Sequence, residues 1–215
     1  MTPARSLVAD PAAQPAQTAH VVNIANGLTL LRLLLVPAFV VLLYTNGGHS
    51  TGWRVWAFVA FAVATITDLI DGDLARSRGL VTDVGKVADP IADKALTGAA
   101  LIGLSSLGDL AWWVTTIVLV RELGVTGLRF FVIRHGVIPA SRGGKVKTLL
   151  QNVAIGLYIL PLTGPAASAR WWLMAIAVVV TMATGGDYVV RAARLRRTSE
   201  RAAMKRARRA AGGSS

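Results

Sequence analysis

Four aspartates in the stretch TDLIDGDLARSRGLVTDVGKVADPIADK have the types and spacing for chemistry. Asp68 and Asp71 stand three apart, and Asp89 and Asp93 four apart. On helices each pair shares a face. If the two helices are antiparallel neighbours, the faces converge and four carboxylates meet. Like charges about 4 Å apart repel by roughly 1 to 4 kcal/mol per pair between water and an effective dielectric of 20, and burial adds a desolvation cost. Protons or cations must therefore neutralise them. Oxygen-only ligands suit hard ions such as Mg²⁺ or Mn²⁺, and two divalent ions balance four charges.

The neighbours of the aspartates suit a nucleotide diphosphate. Gly72 and Gly85 leave room for close approach, Ala75 keeps the helix face low, and Arg76 offers a fork for phosphate oxygens. In phosphoryl transfer, metals neutralise phosphate charge and a carboxylate takes a proton from the incoming hydroxyl. The bland alternative is a solvated loop in which the aspartates pair with Arg76, Arg78, Lys86 and Lys94. It does not require ordered spacing, and ionisable residues at membrane depth are costly and usually functional. Asp73 and Asp83 fall outside the paired faces, where loop solvation or helix capping is expected.

The elements that must position these residues are membrane helices. The 215 residues are 53% hydrophobic and 16% charged, too apolar and charge-poor for an ordinary soluble domain. Apolar segments at roughly 28–44, 53–71, 87–107, 111–133, 146–163 and 171–190 are each near the ~20 residues that cross hydrocarbon. They predict an all-α integral membrane protein with six transmembrane helices. Residues 1–22 read as a flexible cytoplasmic leader without a cleavable signal, 23–190 as one six-helix domain, and 191–215 as a basic cytoplasmic tail.

Cations orient the helices. The connection after the second segment carries Arg76, Arg78 and Lys86, that after the fourth carries Arg134, Arg142, Lys145 and Lys147, and nine of the 23 Lys and Arg residues lie between Arg191 and Arg209. Short basic loops stay in the cytoplasm. The opposite loops are nearly bare and lead into Trp53 and Trp56, Trp112 and Trp113, and Trp171 and Trp172, which suit the outer headgroup level. Both termini and the aspartates are thus expected on the cytoplasmic side of the plasma membrane. The net charge of +12 sits largely on the tail, which points to anionic lipid and not to nucleic acid. With no cysteine, disulfides and thiolate metal sites are excluded.

The run Asp68-x2-Asp71-Gly72-x2-Ala75-Arg76-x8-Gly85-x3-Asp89-x3-Asp93 resembles the signature of the CDP-alcohol phosphatidyltransferase family at all eight fixed positions. The resemblance implies a six-helix, metal-dependent, commonly dimeric membrane enzyme whose site opens to the cytoplasm. It further implies that Asp68, Asp71 and Asp89 ligate two divalent cations and that Asp93 contacts metal and serves as general base. Gly72, Ala75, Arg76 and Gly85 would receive the CDP group of CDP-diacylglycerol, with Asn26 and Thr29 joining the CDP-lipid site. NIANGLTLLRLLLVP at 23–37 is similar to the opening of the phosphatidylglycerophosphate synthase subfamily, although Ala25 replaces its usual proline.

Asn26 is also suited to cap the first membrane helix, and Arg32, a turn inside, needs a carboxylate, phosphate or water unless it snorkels to the interface. The fourth segment carries VRELGVTGLRFF and the fifth begins SRGGKVKTLLQN, again resembling that subfamily. Glu122 and Arg129 share a face, as do Lys147 and Gln151. An anionic acceptor such as glycerol 3-phosphate needs cations, and Arg121, Arg129, Lys145 and Lys147 are the candidates. Anchoring at the interface competes for Lys145 and Lys147, and pairing with a neighbouring protomer's Glu122 or with Asp187 competes for Arg121. His20, His49 and His135 have no assigned role, and Tyr158 and Pro161 are expected to serve packing and a kink in the fifth helix.

The expected reaction is transfer of the phosphatidyl group from CDP-diacylglycerol to glycerol 3-phosphate, releasing CMP. Alternatives are an inositol phosphate or phosphatidylglycerol as acceptor, as in a cardiolipin synthase, and more distantly a cation- or proton-coupled transporter. The last leaves Gly-x2-Ala-Arg unexplained.

Overall fold

The computed structural model describes the backbone of residues 24–78, 83–132 and 142–212, and the side chains of 27–69, 91–128, 144 and 146–195. Its main elements are α1 (Ile24–Tyr44), α2 (Thr51–Arg78), α3 (Asp83–Ser106), α4 (Trp112–Val132), α5 (Arg142–Ile159) and α6 (Pro165–Gly212). All regular structure among the described residues is helical. The six expected segments correspond to these helices, with two differences at their ends. Pro161 follows α5 instead of lying within it, so it kinks nothing there. α6 runs unbroken for 48 residues through the basic segment, about 72 Å at the usual helical rise, which carries its second half well beyond a ~30 Å hydrocarbon core.

Among the described residues, three helical stretches are long and apolar enough to cross a membrane: Gly27–Gly48, Thr51–Leu69 and Pro165–Leu195. α3, α4 and α5 bring Asp93, Lys94, Arg121, Glu122 and Lys147 inward. The exposed side chains are strongly apolar. Leu34, Val41, Val120, Val179 and Trp172 are all more than 60% exposed, whereas Arg32, Arg54, Lys147, Gln151 and Thr181 are buried. Apolar outer faces over a partly polar interior suit lipid as the surrounding solvent.

Contacts at one end fix the helix directions. Tyr44 at the end of α1 hydrogen-bonds Ser106 at the end of α3. Arg54, near the start of α2, donates Nε to Gly48 O at 2.7 Å and Nη1 to Tyr158 O and Ile159 O at the end of α5, both at 3.3 Å, and pairs with Asp109. Arg170, near the start of α6, lies 4.9 Å over the Tyr158 ring. The ends of α1, α3 and α5 therefore meet the starts of α2 and α6, and Ser105 bonded to Thr115 brings the start of α4 to the same end. All six tryptophans belong to this end and are exposed.

Between the two ends, Phe39, Leu43, Phe61, Leu96, Leu101, Leu104, Val118 and Ile155 form the apolar core. The Phe39 and Phe61 rings pack with centroids 5.9 Å apart. At Gly103 an added Cβ would lie 2.6 Å from Leu43 Cδ2, so a side chain there would push Leu43 out of its place in the core.

Candidate active site

α1, α2 and α3 place the first charged residues at the opposite end. The Arg32 guanidinium is completely buried on the inner face of α1, and its Nη1 lies 2.9 Å from Asp68 Oδ1 on α2. Of the partners open to Arg32 in the sequence, the carboxylate is the one realised, and its burial excludes snorkelling. Asp93, half-buried near the start of α3, sits in the combined field of Asp68, Lys94, Arg32 and Glu122. Asp68 and Asp93 are thus brought within electrostatic reach of each other, as the paired spacings require.

The Asp71, Asp89, Gly72, Ala75, Arg76, Gly85, Asn26, Arg129 and Lys145 side chains lie outside the described residues. The backbone sets Asp71, Gly72, Ala75 and Arg76 in the last turns of α2, and Gly85 and Asp89 in the first turns of α3. Asn26 lies in the first turn of α1, Arg129 in the last of α4 and Lys145 in the first of α5; Asp83 is the first residue of α3. Thr29 is buried on α1.

A cleft of about 60 Å³ opens beside Asp93. α3 contributes Asp93, Lys94, Thr97 and Gly98, α4 contributes Leu119, Glu122 and Leu123, and α5 contributes Lys147, Thr148, Gln151 and Asn152. At ~10 to 15 Å³ per water position the cleft has room for a phosphate-sized polar group with several partners. Lys147 and Gln151, one turn apart, are both buried on the face of α5 that meets it.

Glu122 organises the cleft wall. Its Oε1 accepts from Lys147 Nζ and, at 3.1 Å, from Arg121 Nη1. Arg121 reaches the other way, donating Nε to Thr181 O at 3.0 Å and Nη2 to Thr184 Oγ1 at 2.9 Å on α6. Thr181 Oγ1 in turn lies 3.5 Å from Gln151 Oε1. Arg121 therefore pairs with Glu122 of its own chain, and Asp187 pairs instead with Arg191, at 2.8 Å. The polar line runs from Arg32 and Asp68 through Asp93 to Glu122, Lys147 and Arg121, and ends on α6.

Sequence reasoning did not assign Glu122, Thr97, Asn152 or the Arg54–Asp109 pair to any site. Thr97 was findable, since it follows Asp93 by one helical turn. Asp109 stands out as an acid in otherwise charge-poor loops, but nothing in the spacing pairs it with Arg54. Glu122 was visible beside Arg121, yet its part as a shared acceptor depends on α5.

Carboxylate oxygen is the donor chemistry that hard divalent cations take, and Asp68 and Asp93 present it from adjoining helices at mutual electrostatic cost. The residues therefore fit such a cation. Among the described residues no group of three or more acids or histidines gathers, and Asp71 and Asp89, which would complete the set, lie outside their number.

An all-α bundle with apolar outer faces and an acid- and ammonium-lined cleft defines a membrane protein with a polar reaction site inside it. The profile of the CDP-alcohol phosphatidyltransferase family matches residues 22–183. The chain belongs to that family, and is an enzyme of its kind. It is 58% identical over 181 residues to a Mycobacterium tuberculosis protein named "Probable phosphatidylglycerophosphate synthase", covering 84% of this chain and 87% of the relative. Proteins named CDP-diacylglycerol--glycerol-3-phosphate 3-phosphatidyltransferase from Rickettsia typhi and Bacillus subtilis are 36% and 34% identical. Each alignment covers 77% of this chain, and 94% and 93% of the respective relative.

Proposed function

We propose that the protein transfers the phosphatidyl group of CDP-diacylglycerol to glycerol 3-phosphate, releasing CMP and phosphatidylglycerol phosphate. One observation carries the reading: the Asp93 carboxylate and the Lys147 ammonium line the same cleft. A base for a hydroxyl and a cation for a phosphate are what a phosphorylated alcohol needs. The names of the relatives from Mycobacterium tuberculosis, Rickettsia typhi and Bacillus subtilis support the same acceptor.

Asp93 takes the proton as the acceptor hydroxyl oxygen bonds to the lipid-linked phosphorus. The bond from that phosphorus to the oxygen of the CMP phosphate breaks, and CMP leaves with the electron pair. Lys147 holds the acceptor phosphate, with Arg121, Arg129 and Lys145 supplying further positive charge around it. Asn26, Thr29, Gly72, Ala75, Arg76 and Gly85 receive the CDP group. Two divalent cations, Mg²⁺ or Mn²⁺, held by Asp68, Asp71, Asp89 and Asp93, supply neutralisation of the diphosphate charge when bound. Arg32 pairs with Asp68 from the side of α1 and orients its carboxylate.

The same reading has six spans in the plasma membrane, both termini and the cleft at the cytoplasmic face, and a homodimer as the working unit. The tryptophans at one end and the cations at the other support that orientation. The first cations of the basic part of α6, from Arg191 on, then lie at the level of anionic headgroups, at about 1 kcal/mol per cation near the surface. Because the chain has no cysteine, single cysteines introduced at either end report sidedness by labelling of intact cells.

The test is purified protein with Mg²⁺, CDP-diacylglycerol and labelled glycerol 3-phosphate. CMP release with label entering the lipid is the expected result, and no release removes the reading. Replacing glycerol 3-phosphate by an inositol phosphate or by phosphatidylglycerol should stop turnover.

A further inference from the structure

α6 contributes no residue to the cleft lining yet holds one of the side chains that shape it. Arg121 lies flat against this helix. An added Cβ at Gly185 would stand 3.0 Å from Arg121 Nε, 3.1 Å from its Cγ and 3.6 Å from its Cδ. The two nearest contacts are tighter than side chains ordinarily tolerate, so the bare backbone of Gly185 is the seat on which the arginine rests. Thr181 O and Thr184 Oγ1 accept from its Nε and Nη2 on the same helix. Thr184 Oγ1 is itself tied back, donating towards Val180 O at 2.8 Å and Thr181 O at 3.1 Å, which fixes where the acceptor stands.

The remaining arm of the guanidinium leads into the cleft. Arg121 Nη1 and Lys147 Nζ both donate to Glu122 Oε1, so the position of one cation constrains the other through a single oxygen. If Arg121 moves outward by a few tenths of an ångström, Glu122 either follows it and draws the Lys147 ammonium along, or releases it and leaves Oε1 to Lys147 alone. Gly186, next along the helix, has nothing within 4 Å of an added Cβ, so the space requirement belongs to Gly185 and not to the glycine pair.

We propose that Gly185 is a positioning residue for the acceptor: its missing side chain, with Thr184, seats Arg121 on α6, and through Glu122 this sets where Lys147 meets the acceptor phosphate. The inference rests on the functional reading above and extends it to a helix outside the cleft.

The test uses full-length protein in detergent or nanodiscs, with KM measured separately for glycerol 3-phosphate and CDP-diacylglycerol. Gly185→Ala should raise the acceptor KM about 3- to 10-fold while the CDP-diacylglycerol KM stays within about 2-fold. Alanine is the better helix former, so backbone propensity does not oppose the change. In an Arg121→Ala background the same substitution should add nothing, because the residue it displaces is gone. Gly186→Ala is the control and should leave both constants unchanged.

Should Gly185→Ala fail to fold, Thr184→Val should raise the acceptor KM and Thr184→Ser should restore it. An unchanged acceptor KM, a parallel rise in both constants, or an effect that persists without Arg121 overturns the inference. If wild-type protein releases no CMP with glycerol 3-phosphate, the functional reading fails and this inference falls with it. Wild-type turnover with an inert Gly185→Ala removes the inference alone.

Discussion

Arg32 on α1 and Asp68 on α2 form an ion pair of 2.9 Å in which the guanidinium has no exposure at all. It links the first helix to the first of the signature aspartates and counters one negative charge beside Asp93. Removing one partner of such a pair leaves a buried charge, at a cost of roughly 3 to 5 kcal/mol. Arg32→Met should lower the thermal midpoint in detergent and depress turnover together. A variant with wild-type stability would show that the pair contributes nothing to the fold.

Asp93 is the proposed general base, and general-base removal typically costs 10² to 10⁴-fold in rate. Asp93→Asn keeps the shape of the side chain and should reduce CMP release by about that factor while CDP-diacylglycerol binding largely survives. Loss of lipid binding in equal measure would make Asp93 chiefly a ligand.

Lys147 is buried against Glu122 at the cleft wall. Lys147→Ala should raise the glycerol 3-phosphate KM by ~10-fold or more and leave the CDP-diacylglycerol KM nearly unchanged. An unchanged acceptor KM would return the lysine to a structural partnership with Glu122.

Arg54 does comparable work at the other end with no bearing on substrates. It is buried, pairs with Asp109, and satisfies carbonyls at the end of α5 that the helix itself cannot. Arg54→Met should therefore cost about 3 to 5 kcal/mol of stability, read as a lower thermal midpoint. Both KM values, measured on the protein that remains folded, should match wild type.

Chelation tests the cation reading. EDTA should stop CMP release, and Mg²⁺ or Mn²⁺ should restore it, with binding of the metal alone measurable by calorimetry. Asp68→Asn should weaken that binding, since it removes a carboxylate from the set.

Much of this protein is written in local pattern. Hydrophobic length set the number and approximate place of the helices, because a hydrocarbon layer admits only segments of a certain length and polarity. The aspartate spacing marked the proposed reaction site, because i,i+3 and i,i+4 positions share a helix face whatever the fold does elsewhere. The Lys147 and Gln151 face was legible for the same reason.

Partnerships between distant helices were not. Arg32 with Asp68, Arg54 with Asp109, Glu122 with Lys147 and Arg121 with α6 each join positions far apart along the chain, and spacing along one helix says nothing of which neighbour it meets. The end of α5 before Pro161 and the continuation of α6 through Gly212 also departed from the hydrophobic windows, since a proline can follow a helix and a basic segment can stay helical beyond the lipid. The sequence by itself determined the membrane class and the family, and singled out the four aspartates as candidates. Only the packed structure decided which charge answers which, because a buried cation is satisfied by whatever acceptor the neighbouring helix happens to carry at the same depth.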